Sequence, residues 1–225
     1  MVYLGCSLNR QGKTEKEVKQ RIANCMATLN KLQRFWKHSN CPLRFKIIVQ
    51  DAVIRTKLLY GLESAELTDG ALNKLDVFQL KGLRKILNMA TTYIDRANTN
   101  EKVFEQIHKA ANPNNRHLRQ TYKTIRKFST IYMKRKLLLA QQILNLPDQD
   151  PMKEATLETS TLKQIDLGKK CTGRPTTQWV DTAMKQVWDR SKHTFLSPYN
   201  AQQFDPDKPP HRKLIKEAAQ RRTIM

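Results

Sequence analysis

Glycine is scarce in this chain, 7 in 225 residues. So few glycines disfavour a fold built on tight turns, and long periodic stretches between sparse breaks point to helices instead. Acidic residues are scarce as well: 20 stand against 41 Lys and Arg, leaving a formal charge of +21. A field of that sign attracts polyanions, so nucleic acid is the first partner class implied and an anionic membrane surface its competitor. No apolar run reaches the roughly eighteen residues that a spanning helix needs, which excludes an apolar membrane helix. The first residues also lack the basic-then-apolar pattern of a secretory leader, and an intracellular setting, nuclear or cytoplasmic, is expected.

Cysteine is sparse too. Cys6, Cys25, Cys41 and Cys171 are far apart, and zinc fingers and knuckles need close pairs, so no metal site is expected. Isolated thiols suit a reducing compartment. Cys25 falls on an apolar helix face and reads as core. Catalytic patterns are missing. The histidines are His38, His108, His117, His193 and His211, and no two lie four apart. There is no glycine-rich phosphate loop, no serine in a nucleophile elbow and no Asp-Asp doublet to hold paired metal ions. Asp51 precedes Arg55 by one helical turn and reads as half of a structural ion pair.

What is present is mostly helical periodicity. Residues 2–8 alternate weakly and read as a strand, with turn chemistry at 9–12. Thr14 then opens a helix, with Glu17 placed to close a capping box. Val18, Ile22, Cys25, Met26, Leu29, Leu32 and Trp36 form its apolar stripe. Its other faces carry Lys16, Lys19, Arg21, Lys31, Arg34 and Lys37. Pro42 fits the first turn of a second helix, 43–60, which is apolar on more than one face and reads as the most buried. Gly61 suits its C-terminal stop. Thr68 or Asp69 caps a third helix, with Leu72, Leu75, Phe78, Leu83, Ile86 and Leu87 inward. Short connections imply antiparallel neighbours in a bundle. A small helix over 100–110 buries Val103, Phe104 and Ile107, and "NPNN" marks a break.

The stretch 115–146 reads as one long helix, with Ser129 as its candidate interruption. Arg116, Arg119, Lys123, Arg126, Lys127 and Lys134 ride on it, and no acidic residue occurs between Glu105 and Asp148. Like charges one turn apart destabilise a free helix, and a polyanion laid along the stripe would relieve that cost. Beyond Pro147 the pattern is polar and weak, as in a linker. "GKKCTGRPTTQWVD" follows. Lys169, Lys170 and Arg174 sit just before a helix that Pro175 can start, either as a phosphate clamp or as a basic hinge. The last stretch reads as a frayed basic tail with room for one short helix.

Four segments in order, "YLGCSLNRQGKTEKEVKQRI", "LLYGLESAELTDGALNKLDVFQLKGLRKIL", "TNEKVFEQI" and "GRPTTQWVD", resemble the non-LTR (LINE-like) retrotransposon reverse transcriptases downstream of their polymerase palm. The resemblance covers residues 2–110 best. It implies that Tyr3, Leu4 and Gly5 are primer-grip-like and that the helices after them are thumb-like, lying along a template–primer duplex. The palm, with its Asp-Asp loop and its catalytic magnesium, would belong ahead of Met1. The expectation is therefore a truncated thumb and C-terminal piece of an RNA-directed DNA polymerase, with no cofactor and no catalytic residue of its own. It would bind RNA or DNA through the backbone and could receive a palm in trans. The alternative is a non-catalytic module that docks a polymerase or another nucleoprotein partner.

The expected fold is mainly α. It has an N-terminal β-strand and turn (1–13), an antiparallel thumb-like helical bundle (14–111) and a long basic helix (112–146). A linker (147–172) and a small helical segment with a basic, disordered tail (173–225) complete it.

Overall fold

The computed structural model describes residues 2–3, 6–7, 14–111, 125–165, 178–194 and 203–221. Two compact units emerge: one of residues 1–62 and 67–131, the other of residues 63–66 and 132–225.

The β part of the expected fold does not hold. In place of a strand over 2–8, Val2–Tyr3 and Cys6–Ser7 pair with each other, Val2 opposite Ser7 and Tyr3 opposite Cys6. Alternation so short and weak does not sustain a longer strand, and the sequence carries a glycine within it, a residue that weakens a strand interior. A two-residue rung is no sheet, and the described chain is otherwise almost entirely helical.

In the first unit, α1 (Thr14–Lys31) and α2 (Gln33–His38) follow each other with one irregular residue, Leu32, between them. Val18, Cys25, Leu29 and Trp36 of the expected stripe are buried. Pro42 stands one position ahead of α3 (Leu43–Val49). That helix passes through a π-helical segment, Gln50–Arg55, into α4 (Thr56–Leu59). Gly61 follows at φ 65°, a conformation that costs glycine little. The α3–α4 rod buries Ile47, Ile54, Leu58 and Leu59, yet Val53 and Phe45 stay 40% and 47% exposed. It is therefore core on one side only. Thr68 caps α5 (Asp69–Leu87) by accepting the Ala71 N–H at 3.2 Å. Asn88, left-handed at φ 54°, ends it, with the Met89 N–H returning to the Arg84 carbonyl at 3.0 Å. α6 (Asn100–Ala111) packs on α3 and α5, and α5 also meets α1 and α2.

Leu59 is 1% exposed. Leu59→Ala is expected to cost about 2–5 kcal/mol by transfer and cavity terms together. A urea unfolding midpoint shift at constant m-value checks this.

Buried cations tie the helices together. Arg21, 7% exposed, donates to Glu17 at 2.5 Å and to the carbonyls of Leu58 and Tyr60 at the end of α4. A positive charge there complements the helix's exposed carbonyl end. Sequence periodicity had placed Arg21 among solvent-facing cations; its stem buries while its head finds carbonyls. Asp51 and Arg55 pair at 2.6 Å, as their spacing suggests.

α7 (Phe128–Asn145) supplies residues to both units, the change falling between Ile131 and Tyr132. In the second unit, Leu137, Ala140, Ile143 and Leu144 of α7 join Val180, Ala183, Met184, Val187 and Trp188 of α9 (Trp179–Thr194). Ile215, Ala218 and Ala219 of α10 (Pro209–Gln220) complete this core. The stretch that reads as a linker contributes a one-turn helix, α8 (Pro151–Glu154), and two core residues, Leu157 and Leu162. Lys153, 5% exposed, donates to the Leu144 and Leu146 carbonyls at the end of α7 and pairs with Asp148 at 2.9 Å. Among the described residues no helix is long and apolar enough to cross a membrane.

Candidate nucleic-acid interface

Of the nine basic residues singled out from the sequence, three are described: Arg126, Lys127 and Lys134. Arg126 and Lys127 lie in the first unit, exposed, on the non-helical residues that lead into α7. α5 positions that segment. Gln79, buried, donates to the Arg126 carbonyl and accepts the Phe128 N–H, both at 2.9 Å. Asp76 accepts the Ser129 N–H at 2.9 Å and its hydroxyl at 2.6 Å. A carboxylate and an amide oxygen thus satisfy the first free N–H groups of α7. Lys134 is half-buried and belongs to the second unit. Arg116, Arg119, Lys123, Lys169, Lys170 and Arg174 lie outside the described residues, as do Leu4 and Gly5. Tyr3 is described only through its backbone pairing with Cys6.

A tighter basic constellation stands where α1 passes into α2. Lys31, Arg34, Lys37 and His38, with Asn30 and Gln33, line a shallow depression of about 410 Å3. The three charged residues recur every three positions and are all exposed, a rise of about 4.5 Å between successive cations. Among the described residues no carboxylate lines the depression. Three acids elsewhere in this unit are engaged with other cations: Glu17 with Arg21, Asp51 with Arg55 and Glu15 with Lys74. Cations in a last turn offset the carbonyl end of their own helix; three of them with a histidine exceed that need and leave net positive potential facing outward.

The chemistry on offer is electrostatic. Flexible ammonium and guanidinium groups, flanked by neutral amides, suit phosphate oxygens and carry no base-reading geometry. Among the described residues no group of three His, Cys, Asp or Glu side chains could hold a metal ion. Sequence reading placed Lys31, Arg34 and Lys37 correctly on the outer side of the stripe but did not single them out. Their regular spacing without an intervening acid was the available signal. Sequence reading did not single out Lys81, Arg84 and Lys85 of α5 either, three cations within five residues of "LKGLRKIL". Comparison with protein-family models, with curated proteins and with solved structures finds no match for this chain.

Proposed function

We propose that this chain is a nucleic-acid-binding helical module of the thumb-and-C-terminal kind found in LINE-like reverse transcriptases, gripping an RNA- or DNA-containing duplex by its sugar-phosphate backbone. The observation that carries the reading is the outward, carboxylate-free cluster Lys31, Arg34, Lys37 and His38 on a helical bundle within a chain of charge +21. The ordered sequence segments give the reading its family, and the absence of an Asp-Asp doublet keeps catalysis out of it. An A-form-like duplex offers phosphates and 2′-hydroxyls, which such a surface meets by shape and charge.

Fluorescence anisotropy with a labelled RNA–DNA hybrid, titrated over a salt series, tests it. Each phosphate neutralised contributes about −0.9 to the slope of log affinity against log salt. Changing Lys31, Arg34 and Lys37 together to Gln should flatten that slope by about 2–3 and weaken all duplex sequences alike. The parallel set Arg119, Lys123 and Arg126 to Gln measures the stripe expected from sequence; the larger loss identifies the gripping face. A salt-independent affinity, or a sequence-selective loss, overturns backbone binding.

A further inference from the structure

A second concavity in the first unit differs in chemistry from the basic depression. It encloses about 750 Å3 between α1–α2 and the outer side of α5, and residues 88–91 close one end. Its floor is aliphatic and thioether: Met26, Val77, Leu80 and Met89. Val77 is 45% exposed there. Lys37, Lys81, Arg84 and Lys85 stand around the floor, and among the described residues no carboxylate lines it. The hydrogen bonds Arg84 and Lys85 make are to neutral groups. Arg84 reaches the Asn98 carbonyl at 2.8 Å and Asn100 at 3.0 Å, and Lys85 reaches Asn30 at 2.6 Å. Their charge is therefore not cancelled where it faces the groove.

Two properties select the occupant. Single-stranded nucleic acid would need an aromatic face on which bases stack. Among the described residues the groove's one aromatic is Trp36, which is 2% exposed, sits edge-on to Phe35 at 4.9 Å and gives its indole N–H to the Leu29 carbonyl. That ring is not open to a base, and an apolar floor offers a phosphate nothing. Flexible methionines with branched aliphatics between two helical walls instead form the kind of surface that accepts the apolar face of a third helix. The unbalanced cations around it favour carboxylates on that helix's flanks.

We propose that this groove receives an acidic amphipathic helix of a partner protein. Aliphatic side chains at i, i+3 or i+4, and i+7 would cover Met26, Val77, Leu80 and Met89. Flanking Glu or Asp would pair with Lys37, Lys81, Arg84 and Lys85. The inference does not depend on the nucleic-acid reading above.

The test uses the full chain and a labelled synthetic helix of about five turns, Leu on one face and Glu on the flanks. Three further probes accompany it: the same residues scrambled, the Gln-flanked version and a labelled oligothymidylate. The amphipathic acidic helix should bind at least about ten-fold tighter than the scrambled peptide of identical charge, and tighter than the Gln version. Val77→Gln, at an exposed position that leaves net charge unchanged, should weaken it about ten-fold without altering oligothymidylate affinity; Lys81→Gln should narrow the gap between Glu- and Gln-flanked helices. Equal binding of the scrambled peptide would reduce the attraction to bulk charge and overturn the proposal. So would indifference to Val77→Gln, or an oligothymidylate that is weakened by Val77→Gln and displaces the peptide.

Discussion

Trp188→Ala should cost the second unit about 3–5 kcal/mol, among the largest losses that a single core truncation produces. Trp188 is 1% exposed and stands at the junction of that unit's elements. Its ring stacks on His211 of α10, centroids 4.3 Å apart, and lies 5.9 Å from Phe204. Around it are Val187 and Met184 from α9 and Ile215 from α10, each at most 1% exposed. Removing an indole there leaves a void that rigid helical neighbours fill only in part. Trp188→Phe keeps an aromatic face against His211 and should lose clearly less. Urea unfolding, read together with hydrogen exchange of the α9 and α10 amides, checks both variants. A loss for Trp188→Ala below about 1 kcal/mol would show that α9 is not central to this core.

The second large effect concerns a buried charge. Lys136 is fully buried in α7, where its ammonium is salt-bridged to Glu66 and donates to the Thr182 hydroxyl at 2.5 Å. Thr182 in turn donates to Glu66 at 2.7 Å, and the Trp179 ring lies 5.9 Å from the ammonium. Breaking such a pair from one side is expensive because the remaining charge stays desolvated. Glu66→Ala, which leaves the fully buried Lys136 ammonium without its carboxylate, should therefore cost about 3–5 kcal/mol, whereas Lys136→Met with Glu66→Leu should be near neutral. Burial pushes the Lys136 ammonium below its ordinary value of 10.5, and Glu66 counters that only in part. At pH values between the lowered folded value and 10.5 the unfolded chain binds more protons than the folded one, so stability rises with pH across that window. Below the window both states are protonated and the contribution is flat. The rise should be present in the parent chain and missing from the Met/Leu double variant when unfolding free energies are compared along an alkaline pH series.

How much of this was legible in the sequence depends on the kind of signal. The stripe of α1, the Thr68 cap, the Gly61 stop and the Asp51–Arg55 pair follow from local rules, and local rules suffice for them. The strand over 2–8 failed because alternation so short and weak carries little information, and Gly5 sits inside it. Residues 147–165 looked like linker because a single helical turn and two lone core leucines, Leu157 and Leu162, present no period to detect. Arg21 reads as surface from its helix periodicity, and nothing in the sequence marks Lys136 or Lys153 as buried. Composition treats a lysine as solvated, whereas its burial is decided by carboxylates and carbonyls that arrive from elsewhere in the chain, such as Glu66 seventy positions away. The basic depression and the groove were hidden for a related reason: concavity is made by two helices together, and no single segment contains it.

The four residues Glu63–Glu66 have a practical implication for anyone dividing this polypeptide. They count with the second unit although sequence surrounds them with the first. Within that unit the Tyr132 hydroxyl reaches the Ala65 carbonyl at 2.5 Å, the Trp179 indole reaches the Glu63 carbonyl at 2.8 Å, and Lys136 depends on Glu66. A fragment beginning at Tyr132 would take from three donors, one of them ionic, the acceptors that Glu63, Ala65 and Glu66 provide. No single scissile point liberates an intact C-terminal piece, and an excised version needs the Glu63–Glu66 tetrapeptide grafted back or supplied alongside.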